Sequence, residues 1–231
     1  VFEEVEENLR LEQYSNFIRK YGLWLAIGLV LLLGGVFGWT QYQAWKEREA
    51  GVYAQKLDEG EQLLSKQDYA GAEKYFTEMA KSGPANYRAT AMTLAGAALM
   101  YQGDLKAAQA RMEEAAKTAT DPVIRDAAAL KGAYLAADNE DYAALKPKLQ
   151  PLIDGGGPFA YEARELLGAE AREAGDLAEA RTQFDFLSLA LDAPEGVRNR
   201  ARAALAVMGP PEETKTPAAP APAPAKSGET K

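Results

Sequence analysis

The sequence predicts an all-α protein, with a single N-terminal transmembrane helix followed by an α-solenoid of stacked helical hairpins. Three observations carry this. An uncharged apolar run spans residues 21–45, and a turn signature recurs every 35 to 37 residues beyond it. The chain is also rich in Ala and Leu, without the strand-spaced clusters of Val, Ile and Thr that a sheet requires.

Composition narrows the function. The chain of 231 residues has a formal net charge of −8. An acidic surface repels phosphate backbones and argues against nucleic-acid partners. The sequence has no Cys and no His. That removes thiolate nucleophiles, disulfides, Cys- or His-based zinc sites and the commonest general base near neutral pH. No cofactor is expected.

Residues 1–20 form an amphipathic segment in which Glu3, Glu4, Glu6 and Glu7 alternate with Phe2, Val5, Leu9 and Leu11. Between Leu23 and Trp39 ten residues are Leu, Ile, Val or Phe. At about −0.3 to −0.6 kcal/mol each, they favour membrane insertion by a few kcal/mol, with no charge opposing. With its interfacial flanks the segment is long enough to span a bilayer core. Trp24 and Tyr21 stand at one edge and Trp39, Tyr42 and Trp45 at the other, as an aromatic belt would. A cleaved signal peptide fits worse, because the prefix is acidic and bulky aromatics occupy the place of a small-residue cleavage site. Arg19 and Lys20 abut the apolar run, whereas Lys46 lies farther from its other end. This predicts a cytoplasmic N-terminus and a translocated C-terminal domain. Gly34 and Gly38 form a GxxxG spacing that would let two membrane helices approach, as in a homo-oligomer.

Residues 46–208 read as helix after helix, and residues 209–231 as a disordered Pro/Ala-rich tail. The turns read Lys66-Gln67-Asp68-Tyr69, Gln102-Gly103-Asp104-Leu105, Asn139-Glu140-Asp141-Tyr142 and Ala174-Gly175-Asp176-Leu177, with the Asp residues spaced 36, 37 and 35. Eight positions before each Asp stands a tiny residue, Gly60, Gly96, Ala133 or Gly168. Eight after stands an apolar plug, Phe76, Met112, Leu149 or Phe184. This pairing suits two helices crossing closely. Each Asp is placed to cap the second helix of its pair. Pro84, Pro122, Pro158 and Pro194 mark where each pair ends. Pro147 and Pro151 are expected to bend or break the second helix of the third pair. A last helix containing Ala203, Leu205, Ala206, Val207 and Met208 would cap the stack. The period lies near the roughly 34 residues of the tetratricopeptide repeat, and the four units resemble an array of them.

That resemblance implies a concave groove lined by the first helix of each pair. Carried over in phase, it assigns to the groove Leu57, Glu61 and Leu64; Thr93, Ala97, Met100 and Tyr101; Leu130, Tyr134 and Asp138; and Glu165 with Arg172. Such a groove suits an extended or helical partner segment, with Tyr101 and Tyr134 as anchors. Only Arg172 is basic, so a clamp for acidic C-terminal tails is not expected.

The acidic opening from Glu4 to Glu7, Arg19-Lys20-Tyr21-Gly22, the membrane segment ending in Trp39, Tyr42 and Trp45, and the repeats behind it together resemble the YfgM-like family of bacterial inner-membrane proteins. The resemblance implies an ancillary subunit of the Sec translocon with its repeat domain in the periplasm. The implied partners are the translocon, a periplasmic chaperone of the peptidyl-prolyl isomerase type, and exported client proteins. The alternative is a structural scaffold for envelope or cell-division machinery. Catalysis is not expected: Glu113/Glu114 sit on a solvated helix face and Glu212/Glu213 in the tail, and neither pair has opposed, enclosed environments. Gly155-Gly156-Gly157 lacks the Lys-Ser/Thr of a phosphate loop and reads as a turn.

Overall fold

Helix formers interrupted by Gly, Asp and Pro at regular intervals fold as helices joined by short turns. In the computed structural model, residues 2–210 are described. Within the first helix the side chains of residues 2–22, 25, 26, 46 and 47 are not. The helices are α1 (Phe2–Ser65), α2 (Tyr69–Met79), α3 (Ala85–Gln102), α4 (Leu105–Thr118), α5 (Pro122–Ala137), α6 (Tyr142–Asp154), α7 (Ala160–Glu173), α8 (Leu177–Leu189) and α9 (Glu195–Met208). The chain divides into two compact units, Val1–Gly103 and Asp104–Lys231. In the first, α2 packs against α1 and α3. In the second, each helix from α4 to α9 packs on the next, and α7 also touches α5 and α9. The second sequence repeat is therefore divided, α3 closing unit 1 and α4 opening unit 2.

The turn signature has a backbone cause. In the first, second and fourth turns the residue before Asp is left-handed: Gln67 at φ 62°, Gly103 at 86° and Gly175 at 83°. The following Asp then caps the next helix. Asp68 accepts from the Gly71 N–H at 2.9 Å, Asp104 from Ala107 at 3.0 Å and Asp176 from Glu179 at 3.1 Å. Such a cap contributes about 1 kcal/mol. The third turn differs. Glu140 is not left-handed, Asp141 adopts φ −68° and ψ 149°, and its side chain caps nothing, contrary to the expectation for that residue. Asp121 instead caps α5, accepting from Val123 and Ile124.

The tiny-residue and plug positions of the first, third and fourth repeats meet as the spacing requires. A Cβ built on Gly60 would lie 2.4 Å from the ring of Phe76, and one on Gly168 would lie 3.1 Å from the ring of Phe184. Phe76 is fully buried and Phe184 nearly so. Burial of such a side chain contributes about 1.5–3 kcal/mol. Ala133 and Leu149 share one buried cluster with Leu130, Leu145 and Leu167.

Helix α6 is continuous from Tyr142 to Asp154 and is not broken. Pro147 and Pro151 both lie inside it. Each removes an i→i−4 hydrogen bond, at a cost of roughly 3 kcal/mol. Both prolines are exposed, so the carbonyls they free can bind water. Leu145, Leu149, Leu152 and Ile153 hold the helix down from its other face.

A charged network joins α6 to α4. Lys148 Nζ donates to Glu113 and to Glu140, each at 2.7 Å, and Gln109 Nε2 donates to Glu140 at 2.6 Å and to Glu113 at 3.1 Å. The hydrogen bond from Lys148 is the main reason both carboxyls are held below the ordinary carboxylate value. Burial alone would lower the Lys148 ammonium, but its two carboxylate partners reverse that and hold it above its ordinary value.

α1 stands apart. Every described side chain from Ile27 to Gln43 is exposed, including Leu31 at 70 % and Phe37 at 66 %. Among the described residues no helix is long and apolar enough to cross a membrane. Leu25 and Ala26, inside the apolar run of the sequence, are outside that description. The tail beyond Pro210 also lies outside the described residues.

Two predictions follow from this packing. Gly60→Ala should destabilise unit 1 by about 1–3 kcal/mol, because the ring of Phe76 must move. Gly168→Ala should cost less in unit 2, where the approach is looser. Chemical denaturation of the two variants would rank them, and equal costs would refute the crossing argument. Lys148→Met should lower stability by no more than about 1 kcal/mol near neutral pH, the pair being about a third exposed. The contribution of Glu113 and Glu140 is complete above 4.5 and fades as pH falls below it through their lowered values. Melting profiles of wild type and Lys148→Met should therefore converge in acid and separate above the carboxylate range.

Candidate partner-binding faces

In unit 1 the first-helix positions come from α1 and α3, which touch. Leu57 and Leu64 are half-buried beside the exposed Glu61. Thr93 and Ala97 are half-buried too, and the Thr93 hydroxyl donates to the Ala89 carbonyl at 3.0 Å. Met100 and Tyr101 are exposed, at 42 % and 66 %. Tyr101 nevertheless has a partner within the unit. Its ring stacks on Tyr69 with centroids 4.8 Å apart and planes 16° from parallel. Gln102 Nε2 donates to the Tyr69 carbonyl at 3.2 Å, so the end of α3 clasps the start of α2. A second stack, Tyr53 on Tyr87 at 4.9 Å, joins α1 to α3. Sequence reasoning missed both stacks, although Tyr69 closes the first turn signature and Tyr101 immediately precedes the second.

In unit 2 the corresponding positions lie on α5 and α7. Leu130 does not line a groove: it is 6 % exposed and belongs to the core with Leu149 and Leu166. The correction is one of register, since a few tens of degrees of helix rotation carry a side chain from a face to the interior. Tyr134, Asp138 and Arg172 are exposed and Glu165 is half-buried. Tyr134 and Glu165 come together. Burial raises the pKa of the Tyr134 phenol, and the nearby Glu165 and Glu162 carboxylates raise it further, against a smaller opposing effect of Arg200. Glu165 accepts a two-pronged contact from Arg200 on α9, with Nη2 to Oε2 at 2.7 Å. At the far end of α5, Asp138 approaches Glu170, whose pKa is raised by burial and then by Glu173 and Asp138. Arg172 makes no ion pair among the described residues.

Arg200 completes this face and was not read from the sequence. The signal was present: Thr93, Leu130, Glu165 and Arg200 are spaced 37, 35 and 35. α9 thus continues the phase as a further first helix, burying Val197 and Ala201 while Val207 stays 80 % exposed. In α1, a Cβ on Gly34 or Gly38 would meet nothing within 4 Å among the described residues.

The sequence from residue 15 to residue 205 matches the family model described as tetratricopeptide repeat-like domain. The chain belongs to that family. No curated protein and no solved structure matches it. Tetratricopeptide repeat-like domains are generally non-enzymatic modules that bind other proteins through stacked helical hairpins. The repeats thus make this chain a protein-interaction module with protein partners. The match begins ahead of the apolar run, so that run and the repeats fall within one family model.

The two anchor tyrosines should behave differently. Tyr101→Ala should destabilise unit 1 by about 0.5–1.5 kcal/mol through the lost stack on Tyr69. Tyr134→Ala should change stability by about 0.5 kcal/mol or less, as an exposed position does. Denaturant titrations of both variants would check this, and a large cost at Tyr134 would reassign it from partner contact to packing.

Proposed function

We propose that this chain is a membrane-anchored, protein-binding adaptor, an ancillary subunit of the Sec translocon that assists chaperoning of exported proteins. The observation that carries the anchor is the surface of α1. Leu, Val, Ile, Phe and Trp side chains are bare on every side of the helix between Leu23 and Trp45. A helix apolar all round requires an apolar surrounding. Among the described residues that surface is not covered by the chain itself. In the full sequence Leu25 and Ala26 complete an uncharged run over residues 21–45. Hydrocarbon is the surrounding that suits its length and its aromatic edges.

The finer assignment rests on resemblance. The acidic opening, the basic Arg19-Lys20 and the aromatic exit of the membrane segment are similar to the YfgM-like family. They point to the bacterial inner membrane with the N-terminus cytoplasmic and the repeats periplasmic. The partners proposed are the translocon, a peptidyl-prolyl isomerase-type chaperone and exported chains. The face around Tyr134, Glu165 and Arg200 is the proposed contact in unit 2, and Met100 with Glu61 in unit 1. The open glycines Gly34 and Gly38 favour a second reading, a scaffold assembled through membrane-helix contacts.

Carbonate extraction of membranes expressing the full chain should leave it in the pellet, and detergent should release it. Photocrosslinking from position 134 should then capture translocon subunits or the isomerase-type chaperone. Release by carbonate would remove the anchor. Crosslinks only between copies of the chain, weakened by Gly34→Leu, would favour the scaffold.

A further inference from the structure

α9 is a first helix without a second. It keeps the phase of α5 and α7, and the residues by which those two receive their second helices can be followed 35 positions at a time. Ala133 and Ala136 on α5 become Gly168 and Ala171 on α7, then Ala203 and Ala206 on α9. On α5 the pair is buried in one cluster with Leu149 of α6. On α7 Gly168 receives the ring of Phe184 from α8, and Ala171 shares a buried cluster with that ring. On α9 both residues are exposed. The crossing face that holds a helix in the two hairpins before it stands bare here.

The next stretch of the chain does not suit the place. α6 accommodates two prolines, but residues 210–224 carry six. Each one inside a helix costs roughly 3 kcal/mol.

A cation in the same phase shows which helix does suit it. Lys146 on α6 reaches the following second helix, donating to Glu179 on α8 at 2.9 Å. Arg181 occupies the position 35 residues on, and no second helix follows it. Its Nη2 donates to the Gly209 carbonyl at 2.8 Å, at the end of α9. A guanidinium has five N–H donors, so most of the fork stays available to a carboxylate. Among the described residues Arg181 makes no ion pair. Arg202, beside Ala203, also bonds only neutral acceptors, Asn199 Oδ1 and the Ser188 carbonyl. Asp185, one turn along α8 from Arg181, pairs with neither arginine. Arg200 is engaged by Glu165, and Glu195 lies at the opposite end of α9 from Gly209.

We propose that the bare face of α9 docks an amphipathic helix of another protein, one with a carboxylate five residues ahead of a bulky apolar side chain. α8 supplies the pattern, with Glu179 five residues before Phe184. The apolar side chain seats on Ala203 and Ala206 as Phe184 seats on Gly168 and Ala171. The carboxylate meets Arg181 as Glu179 meets Lys146. In this chain Glu179 and Phe184 are already engaged within the stack, so a second folded copy has no such pair to offer. The docked helix starts near Arg181 and runs antiparallel to α9. The site uses neither the membrane anchor nor the Tyr134 face.

The test uses the full chain in detergent micelles or nanodiscs. The probe is a fluorescent, helix-stabilised peptide with the sequence of residues 176–189. One twin carries Glu179→Lys and another Phe184→Ala. Wild type should bind the parent peptide at least about tenfold more tightly than either twin. Ala203→Arg changes only an exposed side chain, so the protein should melt as wild type while parent binding weakens about tenfold. Arg181→Glu should reverse the charge preference and bind the Lys twin more tightly than the parent. Should one variant fail to fold, the other decides. Equal binding of parent and twins overturns the proposal, as does wild-type affinity in folded Ala203→Arg or an unchanged charge preference in folded Arg181→Glu. Two further outcomes overturn it: tighter peptide binding after deletion of residues 211–231, which would make the tail the occupant, and self-association lost in Ala203→Arg, which would make it a second copy.

Discussion

The close crossing of the two helices of a hairpin, seen in the first, third and fourth repeats, is the constraint from which the rest of the fold follows. At the crossing one helix presents no more than a methyl group and the other a bulky apolar plug. Gly60 against Phe76 and Gly168 against Phe184 are the tightest examples, and Ala133 with Leu149 is the same device with one methyl added and a smaller plug. A single hairpin built this way leaves its outer apolar face bare, so neighbours must stack to cover it. That requirement explains why the turns, the caps and the plugs keep one period. A hairpin out of phase would offer its plug to the wrong place on the next. The left-handed residue before Asp68, Asp104 and Asp176 serves the same end, turning the chain sharply between the two helices of a pair.

The third repeat departs from this pattern at several points at once, and the departures share a location. Its turn lacks the left-handed residue, so Asp141 caps nothing. Glu140, freed from that turn geometry, accepts from Lys148 and Gln109 instead. Lys148 also reaches Glu113, so α4 and α6 are joined by charge, as Lys146 and Glu179 join α6 to α8. The same helix carries Pro147 and Pro151, whose exposed ring faces replace longer side chains. A polar bridge on one side and short residues on the other leave α4 and α6 apart above a smooth floor. Such concentrated loss of packing in one repeat of an otherwise regular array is costly.

The features legible in the sequence were those that repeat along one dimension. Four Asp-centred turns and four crossing pairs could be counted without knowing how any helix was rotated. The faces were harder, because they depend on rotation about the helix axis. Leu130 sits in phase with Glu165 and Arg200, yet its helix turns it into the core, and an apolar residue stays where polar ones could not. Tyr101 was read as a free anchor, but a stack between residues 32 positions apart has no local pattern. Arg200 was overlooked for the opposite reason. It keeps the period, while the Ala-rich end of its helix suggested a terminal cap with no surface role. The prolines of α6 do not break it, because four buried side chains hold the helix in place against the lost hydrogen bonds.

α1 poses a question of a different kind, because it runs from Phe2 to Ser65 without a break. Its far end is part of unit 1: Tyr53 stacks on Tyr87 and Gly60 receives Phe76. The apolar stretch and the first repeat are thus one helix, with no linker between them. At about 1.5 Å of rise per residue, Leu57 lies about 18 Å beyond Trp45 along that axis. A domain joined to the apolar stretch this way differs from one held on a flexible chain. A flexible linker lets a domain sample a volume, whereas a continuous helix fixes both its height and its rotation about the axis. If the apolar stretch lies in a bilayer, the α1 and α3 face is held close to the membrane surface in one orientation. It then favours partners that are themselves at the membrane over those that diffuse in solution.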